Sequence, residues 1–171
     1  VRPYSENRIW SFVSQFVSGR WAIDFNRIMV GGGSMGGSGA SMWGIRANDK
    51  FAYISSQVGV HIPAMSPTFT PSFEGNYGLV GWGCLYENTG LAAFDYWDNN
   101  QWLRSHVSTD TPFITFANGK NDSGIGWPQA RLTLALTCLS YPGPCVPRRS
   151  SCPTSFRIGR AGLVSSGRET L

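Results

Sequence analysis

Apolar positions near the start of the chain change their period once, and the change marks its centre. Ile9, Phe12, Val13, Phe16 and Val17 recur at helical spacing behind Ser5-Glu6-Asn7-Arg8, with Ser5 as the expected N-cap and Gly19 as the stop. That pattern predicts an amphipathic helix whose apolar face is committed to a sheet. Ile28-Met29-Val30 is then a short continuous apolar run, which reads as a buried strand. It breaks into Gly31-Gly32-Gly33-Ser34-Met35-Gly36-Gly37 and continues as small, helix-compatible residues from Ala40 to Asn48.

Further on, Phe51 to Gln57 and Thr111 to Phe116 read as strands, with Pro112 at an edge start where it removes no ladder bond. Leu91 to Leu103 reads as a helix, and Trp127-Pro128 opens another with proline in its first turn. Helices alternating with strands predict an α/β protein with a mostly parallel sheet and flanking helices. From Val60 to about Gly90, Pro63, Pro67, Pro71, Gly75, Gly78, Gly81 and Gly83 argue against long regular elements. Phe69, Phe73, Tyr77, Trp82 and Tyr86 are interleaved with them. Loops of this texture beyond strand ends build binding pockets, although packing the loop is the commoner task of such aromatics. Trp82 and Trp127 are the candidate substrate contacts.

The junction of first strand and second helix carries the clearest chemistry. Gly32-Gly33-Ser34-Met35-Gly36 fits G-x-S-x-G, in which a strained strand-to-helix turn lifts a serine hydroxyl out of the sheet. The glycines keep side chains out of a crowded turn, and the N–H of Met35, at a helix N-terminus, is free to donate to an oxyanion. Rival readings share these letters. Gly31, Gly33 and Gly36 satisfy the dinucleotide fingerprint, but no acid ends the following strand. A P-loop needs Lys-Ser or Lys-Thr after the glycines, and neither is there. A glycine turn without chemistry stays open. Ser38 is a weaker nucleophile candidate, one helical turn inside the helix. Asp122 follows the third strand on the turn Ala117-Asn118-Gly119-Lys120-Asn121, where a carboxylate can orient an imidazole.

Charge divides the 171 residues into two parts. Residues 1–130 hold 8 Lys+Arg and 9 Asp+Glu, a net of −1, whereas residues 131–171 hold 6 Arg and 1 Glu, a net of +5. The overall +4 is therefore a property of the tail and does not argue for a nucleic-acid partner. Of 23 aromatic residues, only Tyr141 and Phe156 lie in the tail. Cys84 stands in the body and Cys138, Cys145 and Cys152 in the tail, at spacings that match no zinc pattern and with no histidine nearby. No metal or cofactor is expected. No apolar run is long enough to span a membrane.

The pieces Asn26 to Gly37 and Gly119-Lys120-Asn121-Asp122 make the chain resemble the α/β-hydrolase superfamily over roughly residues 5–130. It resembles most its esterase and depolymerase branch, polyhydroxybutyrate-depolymerase-like and feruloyl- or acetyl-xylan-esterase-like, with prolyl-oligopeptidase-type peptidases close behind. The resemblance implies a partial α/β-hydrolase fold over residues 1–130, lacking the N-terminal strands and the last strand. It implies Ser34 as nucleophile, Asp122 as acid, Met35 N–H as one oxyanion donor, and cleavage of a small-molecule or polymer-linked ester through an acyl-serine. In that superfamily the triad histidine follows the acid. Here none does, since His61 and His106 both precede Asp122. The chain as written is therefore expected to have little or no hydrolase activity.

The Arg-, Ser-, Pro- and Cys-rich tail from residue 131 has the texture of GC-rich coding sequence read out of frame. A frameshift near residues 131–140 that replaced the last strand and its histidine is one expectation; a divergent or disordered tail is the other. A chain beginning at Val1 without a signal-like segment reads as the inside of a longer protein, and its low charge, abundant Trp and Asn and the family resemblance imply an extracytoplasmic or secreted one. Two further readings stay open: a serine peptidase of the oligopeptidase type, and a non-catalytic ligand-binding relative.

Overall fold

A computed structural model describes residues 3–119, 121–129 and 133. The tail, with the frameshift expectation attached to it, lies outside the described residues apart from Thr133.

Helix α1 (Tyr4–Ser11) starts from Pro3, whose carbonyl accepts from Asn7 N–H at 3.1 Å. Ser5, the expected cap, lies inside the first turn. The helix then widens into a π-helical stretch over Phe12–Val17, where Ser18 N–H reaches back five residues to Val13 O. Of the apolar stripe read in the sequence, Ile9, Phe12 and Phe16 are exposed instead of covering the sheet, and Val13 and Val17 are half-buried. Trp10 makes the inward contacts, with its ring edge-on to Phe25 at 6.3 Å and Phe51 at 6.1 Å.

Strand β1 (Met29–Gly33) runs directly into helix α2 (Met35–Arg46), and strand β2 (Tyr53–Gln57) follows. Strand β3 (Phe113–Ala117) completes a parallel sheet of order β1-β2-β3, with Val30, Ile54 and Ile114 in register. Because side chains alternate across a strand, Ile54, Ile114 and Phe116 share one face of the sheet. They are buried there with Ile45 of α2 and Leu103, and Val30 packs against the group. Each strand ends level with the next, at Gly33, Gln57 and Ala117, so all three deliver their loops to one edge.

Short elements build the wall above that edge. Helix α3 (Thr70–Tyr77) takes Pro71 into its first turn, so the proline that argued against regular structure helps to start some. The single helix expected over Leu91 to Leu103 is two, α4 (Ala93–Trp97) and α5 (Asn99–Ser105). Asp98 divides them, because its Oδ1 accepts from Asn100 N–H at 2.7 Å and Gln101 N–H at 3.0 Å and so caps a new helix. A second apolar cluster joins Met42, Val60, Tyr86, Trp97 and Ile125, with Phe69, Phe73 and Tyr77 packed against it.

Behind this cluster Arg46 is half-buried, with no carboxylate in ion-pair range among the described residues. Its donors go to Tyr96 O, to Met42 O at 2.8 Å and to Asn99 Oδ1 at 2.7 Å. Burial pulls the guanidinium down to about 9. Asn99, itself fully buried, turns its amide nitrogen to Ser41 Oγ at 3.2 Å and to His61 Nδ1 at 3.4 Å. Since Asn99 Oδ1 is taken by Arg46, the amide donates to His61, which fixes the imidazole proton on Nε2.

Candidate active site

Ser34 sits between the last residue of β1 and the first of α2 with φ 53° and ψ −120°, a conformation costly to any residue bearing a Cβ. Three contacts impose it. Ser34 N–H donates to Gln57 O at 2.8 Å, tying the turn to the end of β2. Its carbonyl accepts from Ser38 N–H at 3.0 Å and from Ser38 Oγ at 3.2 Å, which starts the helix at once. Ser38 Oγ in turn accepts from Val60 N–H at 2.8 Å, anchoring the first turn of α2 to the loop beyond β2.

Space around the turn explains two glycines. A Cβ on Gly32 would stand 2.4 Å from the backbone of Gly36, and one on Gly37 would stand 2.5 Å from Gln57 O. Gly36, the second glycine of the sequence pattern, has open space where a Cβ would go. The steric demand therefore falls one residue later than the pattern predicts, on the helical position that faces β2.

Ser34 is exposed, and it opens into a cavity of about 420 Å³. Met42, Val60, Phe73, Trp97 and Ile125 supply apolar lining, Phe69 and Tyr77 add aromatic wall, and Ser72, Asn76 and Glu6 are its polar members apart from Ser34 and Ser38. Met35 lines the mouth with its side chain 87% exposed. Its N–H is the first of helix α2 and has no hydrogen-bond partner among the described residues.

Asp122 does not line this cavity but stands next to its wall. Its Oδ1 accepts from Gly124 N–H at 2.8 Å and from Ile125 N–H at 3.0 Å, so the carboxylate shapes the turn that presents Ile125 to the cavity. Oδ2 accepts no hydrogen bond among the described residues. Trp82, 69% exposed on a 3₁₀ turn, and Trp127, packed against the cluster of Ile45, Ile54 and Ile114, both lie outside the cavity lining. Neither histidine lines it. His61 is fully buried with its ring edge-on to Phe116 at 4.6 Å, and burial lowers it to about 4. His106 is exposed and stacked on Trp102 at 4.2 Å. Among the described residues no group of three His, Cys, Asp or Glu is placed to hold a metal ion.

The wall residues Phe69, Phe73 and Tyr77 recur every four positions, a helical signal that the prolines around them obscured. Trp97 read as a packing residue and does pack, with one side turned to the cavity. Glu6 had no sequence signal, because nothing in its own helix says which strand end it will face.

Searches against family models and among curated proteins by sequence returned no match. Solved structures do match. An S-formylglutathione hydrolase from Agrobacterium tumefaciens superposes over 74% of this chain and 44% of its own length, with a TM-score of 0.51 and 17% identity. The chain carries part of the α/β-hydrolase fold. It spans less than half the length of that structure, and at this identity the likeness concerns the fold alone. Within the α/β-hydrolase fold, the parallel strands, the strained residue between β1 and α2 and the cavity at the strand ends occupy one continuous site.

Proposed function

We propose that this domain is of the serine hydrolase type and acts on carboxylic esters, with Ser34 as the nucleophile. The observation that carries the reading is the backbone of Ser34, held at positive φ between strand and helix with its side chain at an apolar cavity. Strain of about 1–3 kcal/mol at a non-glycine residue is kept where the surroundings enforce it, and such positions cluster at functional sites. Attack of Oγ on the ester carbonyl would form a tetrahedral intermediate, and loss of the alcohol would leave an acyl-serine for water to hydrolyse. Met35 N–H is the donor nearest in sequence for the developing oxyanion. Asp122 is the candidate acid, its Oδ2 open for an imidazole N–H. The apolar lining favours an acyl or aryl group, in a small ester or one linked to a polymer.

A serine hydroxyl needs a base at neutral pH, and among the described residues no histidine lines the cavity to serve as one. Two readings follow, a catalyst that needs an added base and a ligand-binding relative of one. Imidazole added from solution separates the two. The expected result is that millimolar imidazole raises hydrolysis of 4-nitrophenyl butyrate above the protein-free imidazole rate, and that Ser34→Ala abolishes the increment. An increment unchanged in Ser34→Ala, or none at all, would overturn the hydrolase reading and leave ligand binding.

A further inference from the structure

Glu6 is half-buried on α1 and reaches the same cavity as Ser34, although α1 belongs to neither the strand nor the helix that makes the turn. Among the described residues it is the only one of the cavity lining with a carboxylate or a basic group. Neither ion pair among the described residues, Arg27 with Asp24 or Lys50 with Asp49, involves it. Ser72 and Asn76, one helical turn apart on α3, share the cavity with it, so the lining has polar members beside an apolar remainder.

Two opposite charges act on the aromatic wall beside this carboxylate, Glu6 itself and Arg46. The Tyr77 phenol in the same wall is pushed up, first by burial and then by the negative charge of Glu6, with the Arg46 guanidinium opposing in part, so it stays neutral at working pH. The field of Glu6 also reaches Tyr86 and Tyr96, again after burial as the larger cause. Arg46, half-buried, lies against Tyr96 and Trp97 at 5.1 Å from each ring. Its donors are committed to Met42 O, Tyr96 O and Asn99 Oδ1, and it is absent from the cavity lining. A lone carboxylate beside a low-dielectric wall acts on a ligand charge more strongly than one in open water.

We infer that Glu6 sets the charge preference of the Ser34 cavity, selecting ligands whose apolar body ends in a cationic or neutral polar group and rejecting anionic ones. The inference rests on the reading of this cavity as the ester-binding site. It deepens that reading by naming the substrate class: esters with an apolar acyl or aryl part and a cationic or uncharged portion beyond it.

Two measurements on the full chain test it, and only one of them needs catalysis. Binding of phenyltrimethylammonium and of benzenesulfonate to Ser34→Ala protein, followed by tryptophan fluorescence, should favour the cation by roughly 3- to 10-fold at low salt. The preference should shrink toward unity in 0.5 M NaCl and in a Ser34→Ala, Glu6→Gln double variant. Labelling of the wild-type chain, with imidazole present, by two phosphonofluoridates of equal length, one ending in trimethylammonium and one in sulfonate, should show the same ratio at Ser34. Equal binding of the two ions, or a preference that survives Glu6→Gln and high salt, overturns the inference. A Glu6-dependent binding preference without any labelling of Ser34 upholds the inference and overturns the hydrolase reading instead. The salt dependence of the Glu6-bearing protein tests the inference even if Glu6→Gln fails to fold.

Discussion

Ser34 N–H and Gln57 O, 2.8 Å apart, join the turn after β1 to the last residue of β2. The bond spans two parallel strands at the edge where their loops leave the sheet, and Gly37 packs onto the same carbonyl. The strained serine is thus held from the neighbouring strand as well as from its own helix.

That clamp separates glycines that look alike in sequence. Gly37→Ala places a methyl 2.5 Å from Gln57 O and should destabilise by about 1–3 kcal/mol. Gly36→Ala has open space and removes a helix-interior glycine, so it should be neutral or stabilising by up to about 1 kcal/mol. Urea unfolding of the two variants checks the ordering.

The positive φ of Ser34 makes a second separation possible. Ser34→Gly relieves the strain and should raise the unfolding midpoint, by about 1 kcal/mol net of the entropy glycine adds to the unfolded chain. Ser34→Ala keeps the strain and should not stabilise. Both should remove the imidazole-dependent ester hydrolysis. Parallel thermal melts and rate measurements on the two variants test the relation between strain and activity.

His61 gives the fold an acid limit. Its folded value of about 4 lies below the ordinary 6.5, so the unfolded chain binds a proton that the folded chain refuses between those values. Its contribution is intact above about pH 6.5 and is lost as pH falls toward 4, reaching about 2 kcal/mol between pH 7 and pH 5. His61→Gln should unfold with a shallower pH dependence across that window, read from urea midpoints at pH 7 and pH 5.

Asn99 serves Arg46 with its oxygen and Ser41 and His61 with its nitrogen. Asn99→Ala leaves a half-buried guanidinium short of an acceptor and should destabilise by about 2–4 kcal/mol. Exposed Asn76→Ala should change stability by under about 0.5 kcal/mol. Chemical denaturation of both checks that the buried network, rather than asparagine content, is responsible.

The sequence made the parallel strands, the order of elements and the strained turn readable, because apolar runs, glycine punctuation and helical spacing are local signals. Strand bounds shifted by one or two residues, as from Thr111–Phe116 to Phe113–Ala117. What it concealed depends on distant partners. The face of Ile9, Phe12 and Phe16 has helical spacing but not the burial that spacing implies, and the π-helical turn over Phe12–Val17 is not encoded in apolar period either. Asp98 could have been read as a cap, but the apolar run around it argued for one helix. Trp82 and Trp127 stand out in the sequence by residue type, whereas the cavity wall is set by which side of α3 and α4 meets the strand ends. Glu6 enters only through tertiary placement.

Three serines line the cavity, Ser34, Ser38 and Ser72, and only Ser34 stands at the strained turn. Peptide mapping of the chain after exposure to a neutral alkyl fluorophosphonate in the presence of imidazole reads out which of them is the nucleophile. The account predicts a single adduct on Ser34. Modification of Ser38 or Ser72 in its place, or an unmodified Ser34 at saturating reagent, contradicts it.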